Sequence, residues 1–133
     1  MRSAMRAYDR VVWTYKQSSG ELSRDGVAAG VGYSGYEAGK NNPAMQNVAN
    51  TGPVPQGRYK IGAPMDLEGG PHGPFVLPLT PDPANQMFGR FGFLIHGDSI
   101  ATPGFASRGC IIAGLPIREA IAASGDAELM VVE

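Results

Sequence analysis

The sequence predicts an all-β domain, sandwich- or barrel-like, with one short helix near the C-terminus. Three observations carry this. Short runs of β-branched and aromatic residues recur along the chain, each bounded by turn residues. Glycine and proline, 19 and 11 of the 133 residues, interrupt the remainder too often for long helices. Only residues 116–124 carry apolar side chains at helical spacing. The length is most simply that of one domain, residues 1–133, large enough to bury a core.

In chain order, residues 6–16 hold Tyr8, Val11, Val12, Trp13 and Tyr15 and read as a strand. Ser18-Ser19-Gly20 turns it into a return strand, Glu21 to Arg24. Asp25-Gly26 turns again into Val27 to Tyr33, where Gly30 and Gly32 signal a bulge or a close backbone approach. Residues 34–57 break every period and read as a long ordered loop, a feature more often functional than not. Arg58 to Gly62 is a strand, 63–74 a loop, Phe75 to Leu79 a strand, and 80–90 a third loop. Phe91 to His96 reads as a buried strand and Cys110 to Ala113 as another. Pro116 suits a helix start; Ile117, Ala120 and Ile121 share a face, and Gly125 suits the helix end. Ala127 to Val132 closes the domain as a strand.

Composition narrows the function. A net charge of −1 and 17% charged residues leave no basic face for nucleic acid. No apolar run approaches the roughly 18 residues of a membrane span. The N-terminus is charged and lacks the apolar core of a signal peptide. A single cysteine forms no internal disulfide and leaves the redox compartment open. Two histidines and one cysteine without ligand spacing fall short of a zinc pattern, and His72 reads as an exposed loop residue. No metal or cofactor is expected.

That one cysteine, Cys110, follows Ser107-Arg108-Gly109. His96 ends an apolar strand one short loop earlier and is followed by Gly97 and Asp98. A thiol attacks as the thiolate, and histidine is the usual base because it titrates near neutrality. Glycine beside the nucleophile lets backbone N–H groups face a developing oxyanion. Cys110 is therefore the candidate nucleophile and His96 its base. Gly109 and Cys110 are the candidate oxyanion donors, and Ser107 is a partner for the turn or the imidazole. A lone cysteine is more often a packing residue, and only its context argues otherwise.

The run His96-Gly97, a short loop, then Ser107-Arg108-Gly109-Cys110-Ile111 resembles the signature of the YkuD-like L,D-transpeptidases. Gly52-Pro53-Val54-Pro55-Gln56-Gly57-Arg58-Tyr59-Lys60-Ile61 is similar to that family's Pro-x-Gly-x-aromatic-x-Ile strand. The Trp13 hairpin, Gly32 to Gly35, the Asn42-Pro43 loop and the His96-to-Ile112 core resemble a compact branch delivered as type VI secretion effectors. The resemblance covers residues 10–132. Arg108 stands where the family often has histidine, and Ile112 where it often has arginine or asparagine.

The resemblance implies a β-rich cysteine acyltransferase acting on peptidoglycan tetrapeptide stems. Cys110 would attack the carbonyl of the third residue, a diamino acid, and release D-alanine. Water or an amine would then resolve the thioester. Stem peptides carry carboxylates, so a guanidinium clamp is expected. Arg118 and Arg108 are the candidates. Asp98 is placed to orient the imidazole, bind a substrate amine or cap a turn; Gly97 and Tyr33 are expected to line the groove. A monomer with a cognate immunity protein and a secretion-system component as partners, exported without a signal peptide and active in a target cell's periplasm, completes the expectation. Two rivals remain: an NlpC-type cysteine endopeptidase, whose cysteine precedes its histidine, and a non-catalytic wall-binding or phage structural module.

Overall fold

The path of strands starts and finishes on neighbouring residues, and this shapes the domain. The structure, a computed structural model, describes residues 13–67 and 73–133. Tyr8, Val11, Val12 and His72 lie outside the described residues. β1 (Trp13–Lys16), β2 (Glu21–Arg24) and β3 (Val27–Val31) form the expected antiparallel meander. Asp25 and Gly26 both take positive φ, 49° and 81°, as a two-residue hairpin turn requires. The third strand stops at Gly32 instead of reaching Tyr33. Gly32 donates its N–H to the Gly20 carbonyl at 2.7 Å, and any side chain there would collide with the Ile112 carbonyl. The chain resumes as β4 (Tyr33–Ser34), paired with a different strand.

β5 (Gly57–Ile61), β6 (Met65–Leu67) and β7 (Gly73–Pro81) follow the long loop. β6 falls where a loop was expected, and β7 is longer than its expected five residues. Pro74, Pro78 and Pro81 mask β7 in the sequence, because proline normally argues against a strand interior. β8 (Leu94–His96) is shorter than expected, since Gly92 at φ 80° bends the chain before it. β9 is Ile111–Ile112, α1 is Leu115–Ser124, and β10 is Glu128–Val132. The helix starts one residue before Pro116, and Gly125 ends it at φ 73°.

The strand order is β3-β2-β1-β10-β5-β7-β8-β9-β4, with β6 on the side of β7. Because Gly32 alone separates β3 from β4, the sheet must curl until its two ends meet. β7 is the corner: its C-terminal part pairs with β5, and Leu77 and Pro78 pair with β8. Trp13, Tyr15, Leu22, Tyr59, Leu77, Ile95, Ile111 and Leu129 fill the interior, and Ile121 of α1 packs onto it. The fold is thus all-β with one short C-terminal helix, as the sequence predicts.

The loop 35–56 is ordered by side chains. Asn42 caps a 3-10 turn at Pro43–Met45 by accepting from Ala44 N–H at 3.2 Å. Tyr36 N–H bonds the Thr51 carbonyl at 2.8 Å. Buried Gln17, just after β1, donates to the Val54 carbonyl at 2.8 Å and accepts from Gln56 at 3.0 Å. These bonds answer the backbone's needs where no sheet does, and they bring residues 46–54 under the turn that precedes Cys110.

Candidate active site

The register of two short parallel strands builds the site. β8 and β9 pair with Ile95 opposite Ile111 and His96 opposite Ile112, and the His96 carbonyl accepts from Ala113 N–H at 2.9 Å. One residue back, that register puts Cys110 beside Leu94. The Leu94 N–H does lie against the thiol. Ile95 and Ile111 enter the core, His96 follows Ile95 on β8, and Cys110 directly precedes β9. Adjacent strands about 4.8 Å apart and a two-residue offset put the Cα atoms of Cys110 and His96 roughly 8 Å apart.

His96 is buried, and its Nδ1 lies 2.8 Å from the Gly97 carbonyl. A carbonyl only accepts, so Nδ1 carries the hydrogen and Nε2 the lone pair. That hydrogen is held by the backbone of the next residue.

Ser107 belongs to the turn. Its buried hydroxyl donates to the Cys110 carbonyl and accepts from Gly35 N–H at 2.9 Å and Gly109 N–H at 3.1 Å. The Gly109 N–H, one of the two expected oxyanion donors, has the Ser107 hydroxyl as its acceptor in this structure. Gly109 sits at φ 137°, a region open to glycine, and a Cβ there would lie 2.5 Å from Arg90 Nη2. Ser34, missed in the sequence, accepts from Val54 N–H at 2.8 Å and donates to the Gly109 carbonyl at 2.9 Å. Between them, Ser34 and Ser107 fix the peptide on each side of Gly109.

Cys110 is half-buried, is in no disulfide, and its thiol donates to the Gly92 carbonyl at 3.9 Å. Burial pushes its pKa up from the ordinary thiol value, while the Leu94 N–H and the Arg90 guanidinium pull it back in part. The resting group is a thiol that needs a base.

Two hollows border the site. One, of about 540 Å³, is lined by Gly97, Asp98, Ile100, Phe105 and Arg118 among others. The other, of about 280 Å³, has Arg90, Phe93 and Arg108 in its wall. Arg118 of α1 is buried; Nε donates to the Ala113 carbonyl at 3.0 Å, and Nη1 to the Pro74 and Phe75 carbonyls, both at 2.9 Å. Its Nη2 points past Gly97, where a Cβ would be 2.8 Å away, into the larger groove. Arg108 is exposed and lies 4.0 Å over the Tyr36 ring.

Tyr33 and Asp98 pair with each other. The phenol donates to Asp98 at 2.6 Å and accepts from Ala106 N–H at 3.0 Å. Burial and the Asp98 bond push the phenol pKa up to about 12. Burial also opposes ionisation of Asp98, but Tyr33, the Gly104 and Ser99 N–H groups and Lys40 outweigh it and hold the carboxyl below its usual range. This pair shapes the groove wall, as a turn-capping role for Asp98 required.

Arg90 is a second residue, after Ser34, that sequence reasoning does not single out; it closes the 80–90 loop, where Gly89-Arg90-Phe91-Gly92-Phe93 places a cation between glycines and aromatics with no acid nearby.

Among the described residues no cluster of His, Cys, Asp and Glu is arranged to hold a metal, and no helix is long and apolar enough to cross a membrane. Comparison with curated proteins gives no match. The family profile of the Tlde1 domain matches residues 29–130, which runs from β3 through both site strands to β10. That span is most of the chain, so the protein belongs to the Tlde1 domain family, type VI secretion effectors of the L,D-transpeptidase kind that target the bacterial cell wall.

Proposed function

We propose that this domain cleaves the bond between the diamino acid and the terminal D-alanine of peptidoglycan tetrapeptide stems through a thioester on Cys110. The supporting observation is the β8–β9 register, which brings the residue before β9, Cys110, beside the strand that ends in His96, whose Nδ1 is bonded to the Gly97 carbonyl. His96 Nε2 takes the thiol proton as Sγ attacks the carbonyl carbon of the third residue. The oxyanion that forms meets the Cys110 N–H. Collapse breaks the C–N bond, and His96 returns the proton to the departing amine of D-alanine. Water then hydrolyses the thioester, or an amine takes the acyl group.

Arg118 is the proposed carboxylate clamp. Three of its donor contacts fix the guanidinium on backbone carbonyls, and Nη2 faces the groove next to the base strand. A guanidinium immobilised in this way loses little freedom on binding a carboxylate. Arg108, exposed and stacked on Tyr36, suits a second anionic segment of the wall. As an effector the domain would act in the periplasm of a target cell, and its producer would carry an immunity protein.

Digestion of purified peptidoglycan by the wild type and by Cys110→Ala, read by mass spectrometry, tests this. Tetrapeptide stems should become tripeptides, or exchange their last residue, with the wild type alone. Folded wild type that leaves the stems intact refutes the reading and favours a non-catalytic module. Cleavage between stem residues two and three indicates an endopeptidase.

A further inference from the structure

Arg90 is a buried cation held by carbonyls. Its Nη1 donates to the Gln46 and Pro53 carbonyls at 2.6 and 2.7 Å, and its Nη2 to the Gly52 and Arg108 carbonyls at 2.9 and 3.4 Å. The guanidinium lies 5.2 Å from the centre of the Phe93 ring, which shields one side. Among the described residues no carboxylate lies within ion-pair distance of it. An uncompensated buried charge is costly. Carbonyl dipoles offset part of that cost, yet a neutral side chain could tie the same loops together without it. The position therefore calls for an anion.

Its surroundings say which anion. The 46–53 loop approaches from below, and the nucleophile turn covers it from above. The Arg108 carbonyl is one of its acceptors, and the Cα of Gly109 comes so close that only glycine fits. The next residue is Cys110. The titratable groups whose charge reaches Arg90 are Cys110 and Tyr59. The Tyr59 hydroxyl donates to the Pro55 carbonyl at 2.7 Å and is held neutral by burial. That leaves the sulfur.

We propose that Arg90 is the fixed counter-charge of the Cys110 thiolate, held beneath the nucleophile turn by backbone carbonyls and screened from water by Phe93. It is a positioning residue that acts through Cys110. This rests on Cys110 being the nucleophile. His96 removes the proton, and Arg90 lowers the cost of the negative sulfur that remains. The same four bonds clasp the 46–53 loop to the turn, so the charge and the geometry of the nucleophile come from one side chain.

The test is the pH profile of Cys110 alkylation by iodoacetamide, which needs no wall substrate. Arg90→Gln should raise its midpoint by about one pH unit, the size expected for losing one nearby charge. Arg90→Lys keeps the charge and loses the fork, so its midpoint should stay within about half a unit of wild type, even with a lower Tm. A folded Arg90→Gln with the wild-type midpoint overturns the proposal. Equal upward shifts in both variants overturn it too, since they would assign the effect to the clasp. Should Arg90→Gln not fold by circular dichroism, Arg90→Lys decides alone: a rise under half a unit supports the proposal and a larger one overturns it. Wild type that shows this dependence on charge but leaves stems intact would sink the wall-enzyme reading and leave this inference standing.

Discussion

Tyr33 donates its phenol hydrogen to Asp98 across 2.6 Å, so the end of β4 grips the loop that follows the base strand. Asp98 also accepts from Ser99 N–H at 2.8 Å and Gly104 N–H at 3.2 Å, while Lys40 sits 4.7 Å over the Tyr33 ring. One carboxylate therefore sets the shape of residues 98–106, which line the larger groove.

Tyr33→Phe should destabilise the domain by about 1 kcal/mol at neutral pH, the net worth of such a bond. The sign of the pH effect follows from Asp98. Its folded pKa is depressed, so the carboxylate's stabilisation is present above the ordinary value near 4 and lost as pH falls through the folded pKa. The gap between wild type and Tyr33→Phe should then narrow on acidification. Urea denaturation at neutral and acidic pH measures it. A gap that stays constant would show that Tyr33 does not act through the ionised carboxylate.

Ser107→Ala removes an acceptor shared by Gly35 and Gly109 and a donor to Cys110. Two buried N–H groups lose their partner, at a cost on the order of 2–3 kcal/mol. Denaturant titration should show that loss. Activity on stems should fall further than the folded fraction does, because the Gly109 peptide is freed next to the nucleophile. Full specific activity in the folded variant would mean the turn holds without Ser107.

The parts of this site that were legible in the sequence are local ones. His96-Gly97 and Ser107-x-Gly109-Cys110 are adjacent residues whose chemistry depends on short spacing, and the strands that carry them are apolar runs. Arg118 could be named because a substrate carboxylate calls for a guanidinium. Arg90 was not legible, because its partners are carbonyls at residues 46, 52, 53 and 108, and any residue type supplies a carbonyl. β6 and the ends of β7 were hidden by prolines, whose pairing depends on which neighbour is present. The role of Ser107 was left between turn and imidazole, and only the positions of Gly35 and Gly109 decide it.

Burial raises the Cys110 pKa, which makes a prediction about stability. A group with a raised folded pKa contributes stability that is complete below its unfolded pKa, about 8.5 for cysteine, and that is lost as pH rises through the folded value. Wild type should therefore lose stability relative to Cys110→Ala as pH climbs above about 8.5. Thermal unfolding of both proteins across that range reads the difference. A wild type that instead gains stability relative to Cys110→Ala as pH rises towards about 8.5, and holds it above, would mean a thiolate already formed at rest, opposite to a thiol deprotonated by His96 during attack.

The closeness of Gly97 to Arg118 couples the groove to the brace at α1. Gly97 does not require positive φ, so alanine suits its backbone, yet a Cβ would press on Nη2 at 2.8 Å. The guanidinium is one rigid plane, so Gly97→Ala should shift the groove-facing donor and strain the three carbonyl contacts together, and Tm should fall with it. A charge-assisted hydrogen bond is worth about 1.5–3 kcal/mol, which sets a loss of roughly 10- to 100-fold in kcat/KM for D-alanine release. Arg118→Lys should lose a similar factor and also lower Tm, because lysine cannot hold three carbonyls from one planar fork. If the losses depend on the substrate's carboxylates, a stem analogue with those groups amidated should react equally with wild type and Gly97→Ala. A persistent difference on that analogue would remove Arg118 from substrate binding and leave it as a brace between α1 and the start of β7.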